Sequence, residues 1–408
     1  MKTSYPKDKI NILLLEGVHP SVRKIFKENG YTNITYLKTA LSENDLINSI
    51  RNTHLLGIRS KSQITKKIIE HAEKLLAVGA FCIGTNQIDL KSATEYGIAV
   101  FNSPFSNTRS VAELVIAEII CLLRRIPERS DAAHRGDWLK DAANSFEIRG
   151  KKLGIVGYGH IGSQVSVLAE SMGMQVYYYD IELKLPHGNA IACKNLDDLL
   201  KISDVVSLHV PATSQTKGMI KAKQLDKMKK GSVLINLSRG NVVDINALTK
   251  ALQTKHLLGT GVDVFPKEPG SKNEKFISEL QGMKNVILTP HIGGSTVEAQ
   301  ENIGRDAANK LINYLETGSS AGSHSIPGLS LPIQQDAHRF LHVHYNVPGV
   351  LSEINTVLSK LKVNILGQYL ITNEAVGYVV FDVDKKSSKQ LLIDLKKVKH
   401  TIKVRSLY

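Results

Sequence analysis

The sequence predicts an α/β protein with two parallel-sheet domains and a small α+β domain at the end of the chain. Short apolar runs alternate with amphipathic helical segments over residues 9–291, which is typical of βα repeats. A glycine-rich turn, GYGHIG, joins one of these runs to a helix in the middle of the chain. Beyond a Gly- and Ser-rich linker at 319–336, residues 337–408 follow the pattern βαββαβ.

Length and composition limit the class of protein. The 408 residues suggest two or three domains, and 42% hydrophobic with 22% charged residues is ordinary for a soluble globular protein. The net charge of +14 comes from scattered lysines without interleaved aromatics, so it favours small polyanions over nucleic acid as partners. We expect a cytoplasmic protein without membrane spans, because the N-terminus lacks a signal-peptide pattern and the longest apolar stretch is interrupted by two glutamates. The three cysteines have no metal-ligand spacing, so no metal site is predicted.

The first domain is predicted to be discontinuous, comprising residues 1–103 and 292–318. Five apolar runs between residues 9 and 103, separated by helical segments, predict a parallel sheet. A helix from Thr296 to about Leu315 would return the chain to this domain after the second domain, 104–291. Such a re-crossing predicts a ligand cleft between the two domains.

The glycine-rich turn carries a dinucleotide fingerprint. Gly157 allows a tight turn, Gly159 lets the backbone approach a pyrophosphate, and Gly162 allows close packing of the following helix. The amides of His160 and Ile161 would face the phosphates at the helix N-terminus. Asp180 ends the next strand, where its carboxylate would accept hydrogen bonds from a ribose and repel a 2′-phosphate. The context of strand, turn, helix and acid predicts a Rossmann domain that prefers NAD(H).

Three polar residues follow apolar runs downstream of this fingerprint. Arg239 follows SVLINL, Glu268 follows GTGVDVF, and His291 follows NVILT. Ligands bind at the carboxyl ends of strands in open α/β sheets, so these side chains are predicted to converge. A cation, an imidazole and a carboxylate that orients the imidazole are the groups needed to reduce an α-keto acid.

Several longer segments resemble the D-isomer-specific 2-hydroxyacid dehydrogenases over essentially the whole chain. They include CIGTNQIDL, FNSPFSNTRSVAELVI, SDVVSLHVP, DVFPKEP and TPHIGGSTVEAQENIG. The chain is most similar to the bacterial branch that oxidises 3-phosphoglycerate to 3-phosphohydroxypyruvate with NAD and carries one C-terminal ACT domain. The resemblance implies a flavodoxin-like substrate domain, a Rossmann domain and an ACT regulatory domain. It also implies the first step of L-serine biosynthesis, inhibition by L-serine, a homotetramer and a side activity on 2-oxoglutarate.

The resemblance also implies roles for individual residues. His291 would be the proton donor, Glu268 its partner, and Arg239 the ligand of the substrate carboxylate. Further cofactor-binding residues would be Leu237, Ser238, Asp263, Gly293 and Gly294. The substrate phosphate would be bound by Arg59, Ser60, Lys61 and Asn107. Lys61 stands where the family commonly has a second arginine, and a lysine lacks the bidentate fork of arginine.

The effector site implied for the ACT domain consists of His344, Asn346 and Asn364. In serine-regulated relatives the effector lies between two such domains. Two alternative functions remain open at this point. One is a dehydrogenase of an unphosphorylated acid such as glycerate, lactate or 2-hydroxyglutarate, against which Arg59, Ser60 and the ACT domain argue. The other is a non-enzymatic NAD-sensing corepressor, against which the ACT domain argues.

Overall fold

The computed structural model describes residues 5–269, 274–332, 337–384 and 388–407. The chain divides into two compact units, Met1–Ser106 with Gln300–Tyr408, and Asn107–Ala299. Each unit has its own hydrophobic core, and each is described by itself below.

The first unit begins with a five-stranded parallel sheet. Its elements are β1 (Ile12–Leu14), α1 (Ser21–Glu28), β2 (Ile34–Tyr36), α2 (Glu43–Ile50), β3 (Leu55–Ile58), α3 (Lys66–Glu70), β4 (Ala77–Ala80), α4 (Leu90–Glu95) and β5 (Ala99–Asn102). The strand order is β2-β1-β3-β4-β5, and the pairings are parallel. This is the order of flavodoxin-like sheets, which confirms the predicted fold class. Ser42 caps α2 by accepting from the Asp45 amide, as its position before the helix predicts.

The second unit is built on a seven-stranded parallel sheet. Its elements are α5 (Thr108–Leu123), α6 (Ile126–His134), β6 (Lys152–Val156), α7 (His160–Ser171), β7 (Gln175–Tyr179), β8 (Ile191–Ala192), α8 (Leu196–Ile202), β9 (Val205–Leu208), α9 (Ala222–Lys227), β10 (Ser232–Asn236), α10 (Ile245–Gln253), β11 (Leu257–Val262) and β12 (Val286–Leu288). The order is β12-β11-β10-β9-β6-β7-β8. The chain runs outward from β6 in both directions, so the crevice typical of doubly wound folds lies at the carboxyl end of β6.

The remainder of the first unit is a long helix and an antiparallel sheet. Its elements are α11 (Val297–Thr317), β13 (His338–Tyr345), α12 (Val350–Lys360), β14 (Ile365–Thr372), β15 (Val376–Val383), α13 (Ser388–Lys397) and β16 (Thr401–Ser406). The sheet order is β14-β15-β13-β16. The element order confirms the predicted βαββαβ pattern. The sequence predicts a separate module here, and in the structure its sheet carries buried apolar residues on both faces.

The two faces of the antiparallel sheet have different neighbours. Phe340 and Phe381 face α12 and α13 in one apolar cluster. Leu341 and Tyr378, on the opposite face, belong to the same buried cluster as Leu311 of α11. The sheet therefore completes the core of the first unit instead of standing apart from it.

The Gly- and Ser-rich linker is ordered where the structure describes it, although its composition predicted flexibility. Ser325 exchanges hydrogen bonds with β5, since its Oγ accepts from Val100 N at 2.9 Å and donates to Ile98 O at 2.6 Å. The amide of His324 donates to Val100 O at 2.8 Å, and Ile326 is buried. β5 is an edge strand, so its unpaired backbone groups need partners, and small hydroxyl side chains supply them. Residues 333–336 of the predicted linker lie outside the described residues.

Within the described parts of the chain, no helix has the length and apolar character needed to cross a membrane. The same residues contain no group of three or more side chains arranged to hold a metal ion. Cys82, Cys121 and Cys193 are unpaired thiols, and burial raises the pKa of each.

Candidate active site

The glycine turn after β6 has the geometry that its three glycines predict. Gly157 has φ +92°, and a Cβ there would lie 2.5 Å from the His209 carbonyl oxygen. A Cβ at Gly162 would overlap the Gly157 carbonyl oxygen, so α7 packs directly on the turn. No atom lies within 4 Å of the corresponding position at Gly159, which is exposed and precedes the first turn of α7. A pyrophosphate fits this open backbone at a helix N-terminus.

Asp180 lies beside the turn. Its Oδ2 accepts from the Tyr158 amide at 2.7 Å, and its Oδ1 accepts from the Glu182 amide at 2.9 Å. Each carboxylate oxygen has a further lone pair, and the side chain is partly exposed. The carboxylate is thus fixed in position and still able to accept hydrogen bonds from ribose hydroxyls.

His209, which sequence reasoning did not single out, contacts the glycine turn at Gly157. Burial lowers the pKa of this histidine to about 3, so the ring is neutral. Its Nε2 lies 2.9 Å from Ser207 Oγ, and its backbone carbonyl is the atom that Gly157 approaches. His209 is therefore an uncharged residue whose backbone carbonyl limits the space at Gly157.

Arg239 is presented by a rigid loop after β10. Asn236 accepts from the Ser238 amide at 3.1 Å and from the Ser238 hydroxyl at 2.8 Å, and its Nδ2 donates to Arg239 O at 3.1 Å. The Arg239 guanidinium donates to Ser238 O at 2.7 Å, and the side chain is exposed. Leu237 and Ser238 are buried in this loop. The Arg239 guanidinium is therefore exposed to solvent, while hydrogen bonds fix the backbone that carries it.

Glu268 and His291 form a hydrogen-bonded pair. His291 Nδ1 donates to the carboxylate, at 2.9 Å from Oε2 and 3.1 Å from Oε1. Oε1 also accepts from the Phe265 amide at 3.1 Å. The carboxylate can only accept, so Nδ1 carries the proton and Nε2 is left to act on another molecule. The pair borders a cavity of about 410 Å³ that is otherwise lined mainly by apolar side chains, among them Phe265 and Phe276.

Arg239, Glu268 and His291 follow β10, β11 and β12, which are neighbouring parallel strands. The three side chains therefore start from the same edge of the sheet. The histidine is 54% exposed and the glutamate 38%, so both are accessible to a ligand.

Asp263 holds the loop that carries His291. Its Oδ1 accepts from Thr289 Oγ1 at 2.6 Å and from Ile292 N at 2.7 Å, and its Oδ2 accepts from Gly293 N at 2.8 Å. The carboxylate is buried, with 1% of the residue exposed. Asp263 thus fixes the backbone at the predicted cofactor-binding glycine.

Asn107 lies next to Gly294 in the second unit. A Cβ at Gly294 would overlap Asn107 Nδ2, and Asn107 precedes α5 in the second unit. Arg59, Ser60 and Lys61 belong to the first unit. The structure thus brings Asn107 to the glycine segment after His291, within the unit that contains the dinucleotide turn.

The segment from Arg59 to Lys61 is clamped by groups that the sequence did not single out. Glu16 is 8% exposed, and its carboxylate accepts from Lys61 N at 2.9 Å and from Ser62 N at 2.8 Å. Gln87 Nε2 donates to Arg59 O at 2.7 Å. A signal for Glu16 was present, because it is an acid at the carboxyl end of the first apolar run. The clamp leaves Ser60 and Lys61 exposed and Arg59 partly exposed.

The three predicted effector residues do not meet within one chain. His344 is buried on β13, where burial lowers its pKa, and Asn346 follows the same strand. Asn364 precedes β14 and accepts from the Asp384 amide, next to the strand end that pairs with His338. His344 and Asn346 pair with the opposite end of β15, at Gly377 and Ala375. Asn364 is therefore at the far end of the sheet from the other two.

Comparisons with known proteins define the class. Residues 116–293 match the family model of the NAD binding domain of D-isomer specific 2-hydroxyacid dehydrogenases. Residues 340–403 match the AHAS small subunit-like ACT domain. The crystal structure of a D-lactate dehydrogenase from Aquifex aeolicus, complexed with NAD and lactic acid, is similar with a TM-score of 0.65 and 28% identity, over 78% of this chain and 100% of that chain. The chain is therefore an oxidoreductase with NAD as its cofactor.

Two relatives narrow the class further. The chain is 54% identical to D-3-phosphoglycerate dehydrogenase of Escherichia coli (strain K12) over 409 residues, covering 100% of both chains. It is 52% identical to D-3-phosphoglycerate dehydrogenase of Haemophilus influenzae over 407 residues, covering 100% of this chain and 99% of the relative. The chain belongs to the D-3-phosphoglycerate dehydrogenase family.

Proposed function

We propose that the protein oxidises 3-phosphoglycerate to 3-phosphohydroxypyruvate with NAD, the first step of L-serine biosynthesis. The observation that carries this proposal is the Glu268–His291 pair, which lies at the same sheet edge as Arg239. The full-length similarity to relatives named for this activity supports it.

Each polar group of the trio has a distinct task in this reaction. NAD, when bound, accepts hydride from the substrate carbon. His291 Nε2 takes the proton of the substrate hydroxyl during oxidation and returns it during reduction. Glu268 holds Nδ1, which fixes the ring and favours the imidazolium that forms. General acid–base catalysis of this kind contributes about 10²–10⁴-fold. Arg239 binds the substrate carboxylate with a permanently charged planar fork.

The cofactor would be held by the glycine turn, by Asp180 and by the backbone near Gly293. Asp180 favours NAD over its 2′-phosphorylated form because two like charges would meet. Asp263 would act near the nicotinamide by fixing that backbone. Leu237, Ser238 and Gly294 complete the proposed cofactor set.

The phosphate specificity would come from Arg59, Ser60 and Lys61. The Glu16 and Gln87 clamps support this role, because they fix the backbone of a segment whose hydroxyl and ammonium groups are exposed. Asn107 would assist through its amide.

A comparison of substrates tests the proposal. We expect rapid NADH oxidation with 3-phosphohydroxypyruvate, slow reaction with 2-oxoglutarate as a side activity, and little reaction with pyruvate or hydroxypyruvate. Arg59→Ala should raise the KM for 3-phosphohydroxypyruvate and leave the KM for NADH unchanged. Equal or higher kcat/KM with an unphosphorylated acid would instead support the alternative dehydrogenase.

We infer that L-serine is an effector and that it binds between two copies of the ACT domain in a homotetramer. The separation of Asn364 from His344 and Asn346 supports this, because the antiparallel pairing of two such sheets about a two-fold axis would bring opposite ends together. The edge strand β14 exposes apolar residues such as Leu366 and Leu370, as a strand that pairs with a second copy would.

Initial rates measured against L-serine, together with the molar mass in solution, test this inference. Serine should inhibit, and Asn364→Ala should weaken inhibition as much as His344→Ala does. D-serine serves as the control ligand. An unchanged rate at millimolar serine would contradict the effector role.

A further inference from the structure

Glu118 is a buried acid that the proposed reaction does not use. It lies on α5, is 2% exposed, and neither of its carboxyl oxygens has a hydrogen-bond partner among the described residues. A carboxylate buried without hydrogen bonds is strongly disfavoured, so this side chain favours its protonated form.

The carboxyl group lies against β11. Its Oε2 occupies the space that a Cβ at Gly261 would need, so the glycine admits the acid at this point. Residues two apart on a strand face the same side of a sheet, so Asp263 continues the face that Glu118 contacts. Asp263 in turn binds the amides of Ile292 and Gly293. Glu118 therefore lies on the same face of β11 as Asp263, whose carboxylate fixes the backbone of the proposed nicotinamide subsite.

Few other charges act on Glu118. The helices and strands packed most extensively against α5 are α6, α7, β10, β11 and β12, and the last three contain no ionisable side chain. The other ionisable residues on these helices are Glu128, Arg129, Asp131 and His134 on α6, His160 and Glu170 on α7, and Arg109, Glu113 and Cys121 on α5 itself. Burial, and secondarily the charge of Asp263, raise the pKa of Glu118 to about 8.

We propose that Glu118 is a positioning residue that matches the charge beneath the nicotinamide subsite to the oxidation state of the cofactor. This rests on the proposed function for the placement of the nicotinamide near Asp263. The carboxyl keeps its proton in the free enzyme and with the uncharged ring of NADH. It releases that proton to solvent when the cationic ring of NAD⁺ binds.

The physical basis is electrostatic linkage. A cation near the pair favours two carboxylates, whereas a neutral ring leaves the second negative charge unbalanced. By reciprocity, ionisation of Glu118 strengthens NAD⁺ binding and not NADH binding. The affinity for NAD⁺ should therefore rise with pH up to about 8, and the affinity for NADH should stay flat or fall.

Glu118→Gln tests this, because the amide has the same shape as the protonated acid and cannot ionise. Calorimetric titration with NAD⁺ in buffers of different ionisation enthalpy gives the number of protons released. We expect the wild type to release more protons than Glu118→Gln at pH 7, and the pH dependence of the NAD⁺ Kd to be lost in the variant. Glu113→Gln is the matched control, since Glu113 is exposed on the same helix. Equal proton release by the wild type and Glu118→Gln would overturn the proposal.

Infrared difference spectra of the wild type give a second test that does not depend on a variant. Addition of NAD⁺ at pH 7 should remove the C=O stretch of a protonated carboxyl, and NADH should not. Persistence of that band with NAD⁺ bound would overturn the proposal. Both measurements use the cofactor alone and no substrate. If the protein binds NAD⁺ but does not reduce 3-phosphohydroxypyruvate, the proposed substrate is refuted and the inference on Glu118 is unaffected. A protein that binds no NAD⁺ would refute both.

Discussion

His291 combines an unusual backbone with an accessible ring. Its φ is +53°, in the left-handed region that few residues other than glycine adopt. The Asp263 carboxylate accepts hydrogen bonds from the next two backbone amides, those of Ile292 and Gly293. Strain of this kind persists where the surroundings fix it, and it is concentrated at functional sites. Here the imidazole is accessible to solvent, and its hydrogen bond to Glu268 fixes the rotation of the ring.

We predict that His291→Asn loses about 10²–10⁴-fold in kcat and retains NADH binding. The asparagine tolerates the left-handed backbone, so the loop should keep its form. Stopped-flow rates and NADH fluorescence titration check this prediction. Glu268→Gln should lose less than His291→Asn, because the amide still accepts from Nδ1 but no longer stabilises the imidazolium. Near-normal turnover of His291→Asn would refute the assignment.

At the scale of elements, the glycine turn contains two glycines that are needed for different reasons. Gly162 has no room for a methyl group because the backbone of the turn is in contact with it, whereas Gly159 faces open space. The first is required by the folded protein itself, and the second only by a ligand.

Alanine at each position distinguishes these requirements. We predict that Gly162→Ala lowers Tm and weakens NADH binding, since the turn and α7 must separate. Gly159→Ala should keep the wild-type Tm, because nothing in the free protein contacts the added methyl, and should raise the Kd for NADH. Thermal melts without and with NADH measure both effects. A wild-type Kd for Gly159→Ala would show that no ligand approaches this backbone.

At the scale of the whole molecule, a buried ion pair within the C-terminal sheet lies where that sheet meets α11. Arg339 donates to both Asp382 oxygens at 2.6 Å and to Thr317 O at 2.9 Å, and both side chains are essentially inaccessible to solvent. Thr317 is the last residue of α11, so the pair links β13 to β15 and the hydrogen bond from Arg339 links β13 to that helix.

We predict that Asp382→Asn destabilises the first unit by about 3–5 kcal/mol, because it leaves a buried guanidinium without its counter-charge. Chemical denaturation measures this loss. Glu301→Gln, which breaks an exposed pair with Arg305 on α11, is the control and should leave the midpoint near that of the wild type. Equal effects of the two changes would show that the buried pair has no special structural role.

The sequence predicted those features that depend on local pattern. Apolar runs gave the strands, glycine spacing gave the dinucleotide turn, and polar residues after strands gave the Glu268–His291 pair. It did not predict contacts between distant segments. Glu16, in the turn after β1, binds the amides of residues 61–62, Ser325 satisfies the backbone of β5, and Glu118 contacts Gly261. Such contacts depend on which strands become neighbours, and local sequence patterns do not reveal that order.

The shared core of the first unit constrains how this protein can change over evolutionary time. Leu341 and Tyr378 of the C-terminal sheet cover Leu311 of α11, and the serine-rich segment satisfies the backbone of β5. A descendant that lost residues 337–408 through a premature stop codon would expose that apolar surface and would tend to aggregate. Loss of the sheet by truncation is therefore expected to be more damaging than substitution of its exposed residues. Descendants of this chain are expected to retain the fold of the sheet even where its exposed side chains diverge.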